Sequence, residues 1–191
     1  DGGLIGGASL KPEQFVEMGI AEQNAVTVSA GMASMGKKVY AIGPASFYSM
    51  RSAEQVKVDM AYSHNNVKIV GISGGLSYGA LGATHHSLQD IALMRAIPGM
   101  IVEIPSDANQ MRGLVEEMLK IDTPAYIRTG RGAVPVIYEK ETKVEIGKAV
   151  KWYEGKDAAI IACGQLVWRA LEAAKALEEE GIHVRVYDMH T

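Results

Sequence analysis

The chain has 191 residues, 48% of them hydrophobic and 21% charged, with a formal net charge of −3, 21 glycines and one cysteine. That length holds one large domain, or one complete domain with part of another, and excludes a multi-domain machine. A slightly acidic balance without runs of Lys and Arg argues against a nucleic-acid or anionic-membrane surface and leaves small molecules or proteins as partners.

The start, Asp1-Gly2-Gly3-Leu4, has neither the basic nor the apolar segment of a secretory signal, and Cys163 alone closes no internal disulfide. A cytoplasmic chain is expected. The first strong periodicity runs from Gln23 to Met35, where Val26, Ala30 and Ala33 share one helical face. Glu22 stands at the start of that helix, flanked by Met18, Ile20, Ala21 and Ala25. It is either an acid stabilised by the helix dipole or a carboxyl held in apolar surroundings with its pKa raised. Small residues on the helix, Ala25, Ser29, Ala30, Gly31 and Ala33, suit close packing at an interface.

A β-rich run at Lys38–Ile42 leads into the loop Gly43–Met50, where Phe47-Tyr48 offers aromatic rings either to the core or to a flat heterocycle. A helix is expected over Ala53–Tyr62 and a strand over Val67–Ser73. The uncharged run Ile69 to Gln89 is broken by Gly71, Gly74, Gly75, Gly79 and Gly82, so it reads as a strand plus a glycine-rich loop and not as a membrane span. That loop ends on His85-His86, a spacing that does not suit one metal ion. Strands follow at Met100–Pro105 and Ala125–Thr129, around a helix at Ala108–Leu119. Arg128 closes the second of these strands, either as a surface ion pair or as a bidentate anion ligand.

The helix interval fails between Thr129 and Ala158, where a polar strand-like stretch, Lys143 to Tyr153, marks a domain boundary. Beyond it lie a strand at Ala158–Cys163, a helix at Val167–Glu180 and a strand at His183–Tyr187. Strand, crossover helix and next strand at this spacing give an α/β fold, a mostly parallel sheet flanked by helices, followed by a partial second α/β domain. Ligands of such a sheet sit beyond the carboxyl ends of its strands. No G-x-G-x-x-G follows a strand and no G-x-x-x-x-G-K-[ST] occurs, so self-contained nucleotide binding is unsupported.

Five segments, Phe15-Val-Glu-Met-Gly-Ile-Ala-Glu-Gln-Asn24, Arg51-Ser-Ala-Glu-Gln-Val56, Gly82-Ala-Thr-His-His86, Asp90-Ile-Ala-Leu-Met-Arg-Ala-Ile-Pro98 and Ala125-Tyr-Ile-Arg128, occur in this order. Together they resemble the transketolase family, over its pyrimidine-binding domain and the opening of its C-terminal domain. The resemblance implies a pyrimidine-binding domain over residues 1–137 and an apparently incomplete C-terminal domain over 138–191. It implies that Glu22 hydrogen-bonds the aminopyrimidine of thiamine diphosphate and shifts it to the imino tautomer that deprotonates the thiazolium carbon. It places Tyr48, with Phe47 beside it, at the ring stacked on the aminopyrimidine, His85 at the substrate hydroxyls in a hydrogen-bonding or proton-transfer role, and Arg128 at the substrate phosphate. The reaction implied is transfer of a two-carbon ketol unit from a ketose to an aldehyde.

Two positions depart from the family pattern. Leu81 stands where an acid senses the substrate hydroxyl, and Ser73 where many members carry a second phosphate-contacting histidine. The sugar expected is therefore an unusual one, branched, sulfonated or less phosphorylated. No G-D-G occurs in the chain, and the diphosphate with its magnesium or calcium needs such a segment with oxygen ligands. The chain thus resembles the C-terminal subunit of a split transketolase, completed by an N-terminal diphosphate-binding subunit, with two copies of each in the assembly. The other readings are a thiamine-diphosphate enzyme that decarboxylates a 2-oxo acid, of 1-deoxy-xylulose-5-phosphate synthase or pyruvate dehydrogenase type, and a degenerate scaffold subunit.

Overall fold

The computed structural model describes residues 11–140 and 142–191. The start of the expected first domain, and the leader-free opening read from Asp1–Leu4, lie outside the described residues. Apolar runs rich in Val and Ile become strands β1 (Val39–Pro44), β2 (Val67–Ile72), β3 (Ile101–Glu103) and β4 (Ala125–Arg128). They form a parallel sheet in the order β1-β2-β4-β3. Near-continuous apolarity is what a parallel sheet covered on both faces demands.

One face carries Ala41, Ile69 and Tyr126 and packs against three helical elements. These are α1 (Glu22–Ser34), α2 (pieces Phe47–Arg51, Ala53–Gln55 and Val56–Tyr62) and α3 (Asp90–Ala96). The outer two pieces of α2 are π-helical. The opposite face, with Val70, Ala125 and Ile127, is covered by α4 (Ala108–Met118). The N-terminus of α4 is capped by Asp107, whose carboxylate accepts from the Gln110 backbone N–H at 2.8 Å.

A smaller sheet joins β5 (Val150–Tyr153), β7 (Val184–Asp188) and β6 (Ala158–Ala162) in that order, β5 antiparallel and β6 parallel to β7. Helix α5 (Val167–Glu179) buries Val167, Leu171 and Ala174 against it. Of the polar stretch expected as a strand from Lys143, only its end forms β5.

Two expectations change. Phe47 to Met50, expected in a loop, is helical, because the chain leaves β1 straight into α2. Of the small residues of α1 expected at an interface, Ala25, Ser29 and Ala30 are buried within the chain instead, while Gly31 is exposed and Ala33 half-buried. Among the described residues no helix is long and apolar enough to cross a membrane.

Candidate active site

Helix α1 begins at Glu22, which is 7% exposed. Its Oε2 accepts a hydrogen bond from Arg51 Nη1 at 2.7 Å, and Oε1 has no partner among the described residues. The expected apolar surroundings hold in part, with Ala25 buried and Met18 packed on the core, but Ile20 is 92% exposed and the group facing the carboxylate is a guanidinium from α2. Pairing offsets part of the desolvation cost of holding the carboxylate where water is scarce. Arg51 also lies over Phe47, 4.2 Å from its ring centroid. Arg51 opens one of the family segments, but nothing in the sequence gives it a role. Its partner is 29 positions away, and only the packing of α1 on α2 brings the two together.

Phe47 continues the line. Its half-buried ring meets His85 edge to face at 5.2 Å between centroids, and Tyr78 also meets His85 edge to face, at 5.4 Å. Arg131 in turn lies 5.1 Å from the Tyr78 ring. His85 Nδ1 shares a hydrogen bond with Thr84 Oγ1 at 2.9 Å, so Nε2 is the nitrogen left for a ligand. The turn that carries it depends on Gly82, at φ 73°, whose carbonyl accepts from both His85 and His86 backbone N–H groups. His86 is spent inside the loop, its Nε2 donating to the Gly79 carbonyl at 3.0 Å.

Tyr48 lies elsewhere. It is 7% exposed, and its ring lies over Gly43, where an added Cβ would come within 2.5 Å of the ring edge. Burial, then the nearby Glu22 charge, push its phenol above the usual range. Of the two aromatics named from sequence, Tyr48 is the buried ring near Glu22, and Phe47 is the more accessible one, lying against Arg51 and His85.

Arg128 ends β4 on the same face as Tyr126. Its Nε donates to Asp90 Oδ2 at 2.8 Å, and Tyr126 Oη donates to the same oxygen at 2.8 Å. Asp90 has no exposure, and the Arg128 side chain is 20% exposed. The partner is thus a buried acid and not a surface one. Of the two departing positions, Ser73 is buried with φ 58°, whereas Leu81 is exposed at the loop tip. A separate cavity of about 190 Å³, lined by Ser106, Asp107, Thr129, Gly130 and Gln165 among others, lies beyond the ends of β3 and β4.

These groups suit an aminopyrimidine. Among the described residues, one Glu22 carboxylate oxygen and one His85 ring nitrogen have no partner, and a half-buried aromatic ring stands between the guanidinium that holds Glu22 and that imidazole.

Comparison with known proteins gives the same direction. The transketolase pyrimidine-binding domain matches residues 6–136, and the transketolase C-terminal domain matches residues 147–191. The chain is 56% identical over 179 residues to one subunit of an apulose-4-phosphate transketolase from Phocaeicola vulgatus, covering 93% of this chain and 57% of that one. It is 37% identical over 197 residues to a 6-deoxy-6-sulfo-D-fructose transketolase subunit from a Clostridium species, strain MSTE9, covering 100% of this chain and 61% of that one. A solved split-gene transketolase, an inactive beta4 tetramer, superposes with a TM-score of 0.89 at 41% identity, covering 96% of this chain and 59% of that one. The chain spans less than two thirds of the length of each.

Proposed function

The chain belongs to the transketolase family, and from that premise we propose that it supplies the pyrimidine-binding half of a thiamine-diphosphate-dependent site. The reaction is transfer of a two-carbon ketol unit from a ketose to an aldehyde. The observation that carries this reading is the buried Glu22 carboxylate, one oxygen held by Arg51 and the other without a partner among the described residues, with the Arg51 guanidinium lying over Phe47 and Phe47 meeting His85.

When bound, thiamine diphosphate supplies an acidic ring carbon and the electron sink that carbon–carbon cleavage needs. Glu22 hydrogen-bonds a ring nitrogen of the aminopyrimidine, with Arg51 fixing its orientation. Phe47 covers the heterocycle, and Tyr48 supports that turn of α2 from the core. His85, its Nδ1 engaged by Thr84, uses Nε2 to hydrogen-bond or exchange a proton with the substrate hydroxyls. Arg128 binds an anionic group at the far end of the sugar.

Ligands for the diphosphate and its magnesium or calcium ion come from an N-terminal diphosphate-binding subunit. Two copies of each subunit make the assembly, in a reducing cytoplasm that suits the free Cys163. Leu81 and Ser73 direct the site away from ordinary pentose phosphates and towards a less common sugar. Two relatives whose names give an apulose phosphate and a sulfofructose support that direction.

The test is Glu22→Gln in the complex with the diphosphate-binding subunit. Gln cannot exchange the proton, and kcat for ketol transfer falls by a factor of about 10² or more. Turnover within twofold of the wild type overturns the assignment. Faster consumption of pyruvate than of any ketose would favour the 2-oxo acid reading instead.

A further inference from the structure

Asp90 has a part in this site that its place in a family segment does not assign. It is fully buried at the start of α3, yet it does not cap that helix. Its Oδ2 instead receives both Tyr126 Oη and Arg128 Nε, each at 2.8 Å. Two glycines make this arrangement possible. A Cβ on Gly71, which pairs in register with Arg128, would fall on Tyr126, 2.8 Å from two of its ring carbons. A Cβ on Gly74 would collide with the Arg128 guanidinium. Strand β2 and the loop after it are therefore clear of side chains where Tyr126 and Arg128 cross them.

The guanidinium has five N–H donors in a rigid fork. Asp90 takes the one on Nε, and Nη2 lies 3.5 Å from the Ser87 carbonyl. Nη1 has no partner among the described residues, and the side chain keeps 20% of its exposure. That edge is the part of the guanidinium left for a ligand or for water. A flexible arginine loses rotamer freedom when it binds an anion, whereas one already clamped through Nε has lost it beforehand. Tyr126 Oη, donating to the same carboxylate oxygen, damps the negative charge that would otherwise weigh against an anion near Arg128.

We propose that Asp90 is a positioning residue that clamps Arg128 through Nε, so that the guanidinium meets a tetrahedral oxyanion of the substrate, phosphate or sulfonate, with its Nη edge. This rests on the reading of Arg128 as the anion-binding residue. The test uses the complex with the diphosphate-binding subunit and three donors: a ketose phosphate, a ketose sulfonate and a ketose carrying neither group. In Asp90→Asn the KM of an oxyanion-bearing donor rises about tenfold, while kcat and the KM of the uncharged donor stay within twofold. Asp90→Asn added to Arg128→Gln raises KM no further than Arg128→Gln alone. Which charged donor responds identifies the oxyanion as phosphate or sulfonate.

If Arg128→Gln raises an oxyanion KM and Asp90→Asn does not, the Asp90 proposal falls and the Arg128 reading stands. If Arg128→Gln changes none of the three KM values, both fall. A second measurement needs no variant. In the complex with this chain nitrogen-15-labelled, the Arg128 Nε–H exchanges slowly with solvent because Asp90 holds that donor, and added inorganic phosphate moves the Nη signals. Rapid Nε–H exchange contradicts the clamp, and Nη signals that do not respond to phosphate contradict the Arg128 reading on which it rests.

Discussion

Glu103 is a carboxyl buried against its chemistry. It lies on β3 with no exposure, and neither carboxylate oxygen has a partner among the described residues. Burial pushes its pKa from 4.5 up to about 8, with the Lys68 charge pulling the other way. Lys68, on the same sheet face and also buried, donates to the Ile121 and Thr123 carbonyls, and burial lowers its pKa from 10.5 to about 8. Between pH 4.5 and 8 the folded chain holds a proton on Glu103 that the unfolded chain releases, so stability falls as pH rises. Between pH 8 and 10.5 the unfolded chain holds a proton on Lys68 that the folded chain releases, so stability rises again. Glu103→Gln removes the first limb. Melting temperatures followed from pH 5 to 8 fall less steeply in the variant than in the wild type, and parallel profiles contradict this account. Glu22, Tyr48 with Phe47 beside it, His85 and Arg128 were marked as candidates by the family-like segments in or near which they stand. Their partners were not: Arg51 is 29 positions from Glu22 and Asp90 is 38 from Arg128, separations at which only tertiary packing decides.

At the scale of elements, strands and crossover helices were legible because a parallel sheet buried on both faces leaves continuous Val/Ile runs, and amphipathic helices leave a 3.6-residue period. The π-helical pieces of α2 leave no such trace. Their wider turns are supported by hydroxyls returning to carbonyls five residues back, Ser63 Oγ to Val58 at 2.9 Å and Ser52 Oγ to Phe47 at 3.3 Å. A register row is equally silent in sequence. Gly43 pairs with Gly71 and Gly71 with Arg128, and the two glycines give room to Tyr48 and Tyr126. Gly71→Ala forces its methyl against Tyr126, which has no exposure and is tethered to Asp90, and costs about 1–3 kcal/mol. Gly31→Ala, in the interior of α1 where an added Cβ meets nothing, stabilises by up to about 1 kcal/mol. Urea midpoints that move in opposite directions for the two variants bear this out, and equal midpoints contradict it.

Across the whole molecule, the two sheets meet through Asp188 at the end of β7. Its buried Oδ2 accepts from Ser106 Oγ at 2.8 Å, Gln110 Nε2 at 2.8 Å and Tyr138 Oη at 2.7 Å. Trp152 Nε1 donates onward to Tyr138 Oη at 3.2 Å. Ile104 accepts from the Gly164 backbone N–H, and its own N–H donates to the His190 carbonyl. The interval without a helix between Thr129 and Ala158 was legible as a break in pattern. That it contributes Tyr138 to a buried seam was not, because a single tyrosine in a polar stretch carries no periodic signal. The seam holds β6 and α5 beside the carboxyl ends of β3 and β4, the side of the sheet where Arg128 lies.

The central claim is that this chain forms half of a thiamine-diphosphate site. Its most direct test is the rate of two-carbon transfer from a ketose to an aldehyde, measured with thiamine diphosphate and magnesium for the chain alone, the diphosphate-binding subunit alone and the two mixed. The account predicts transfer only in the mixture, lost when Glu22→Gln replaces the wild-type chain. Cofactor-dependent transfer by this chain alone, or a mixture no more active than its parts, would contradict it.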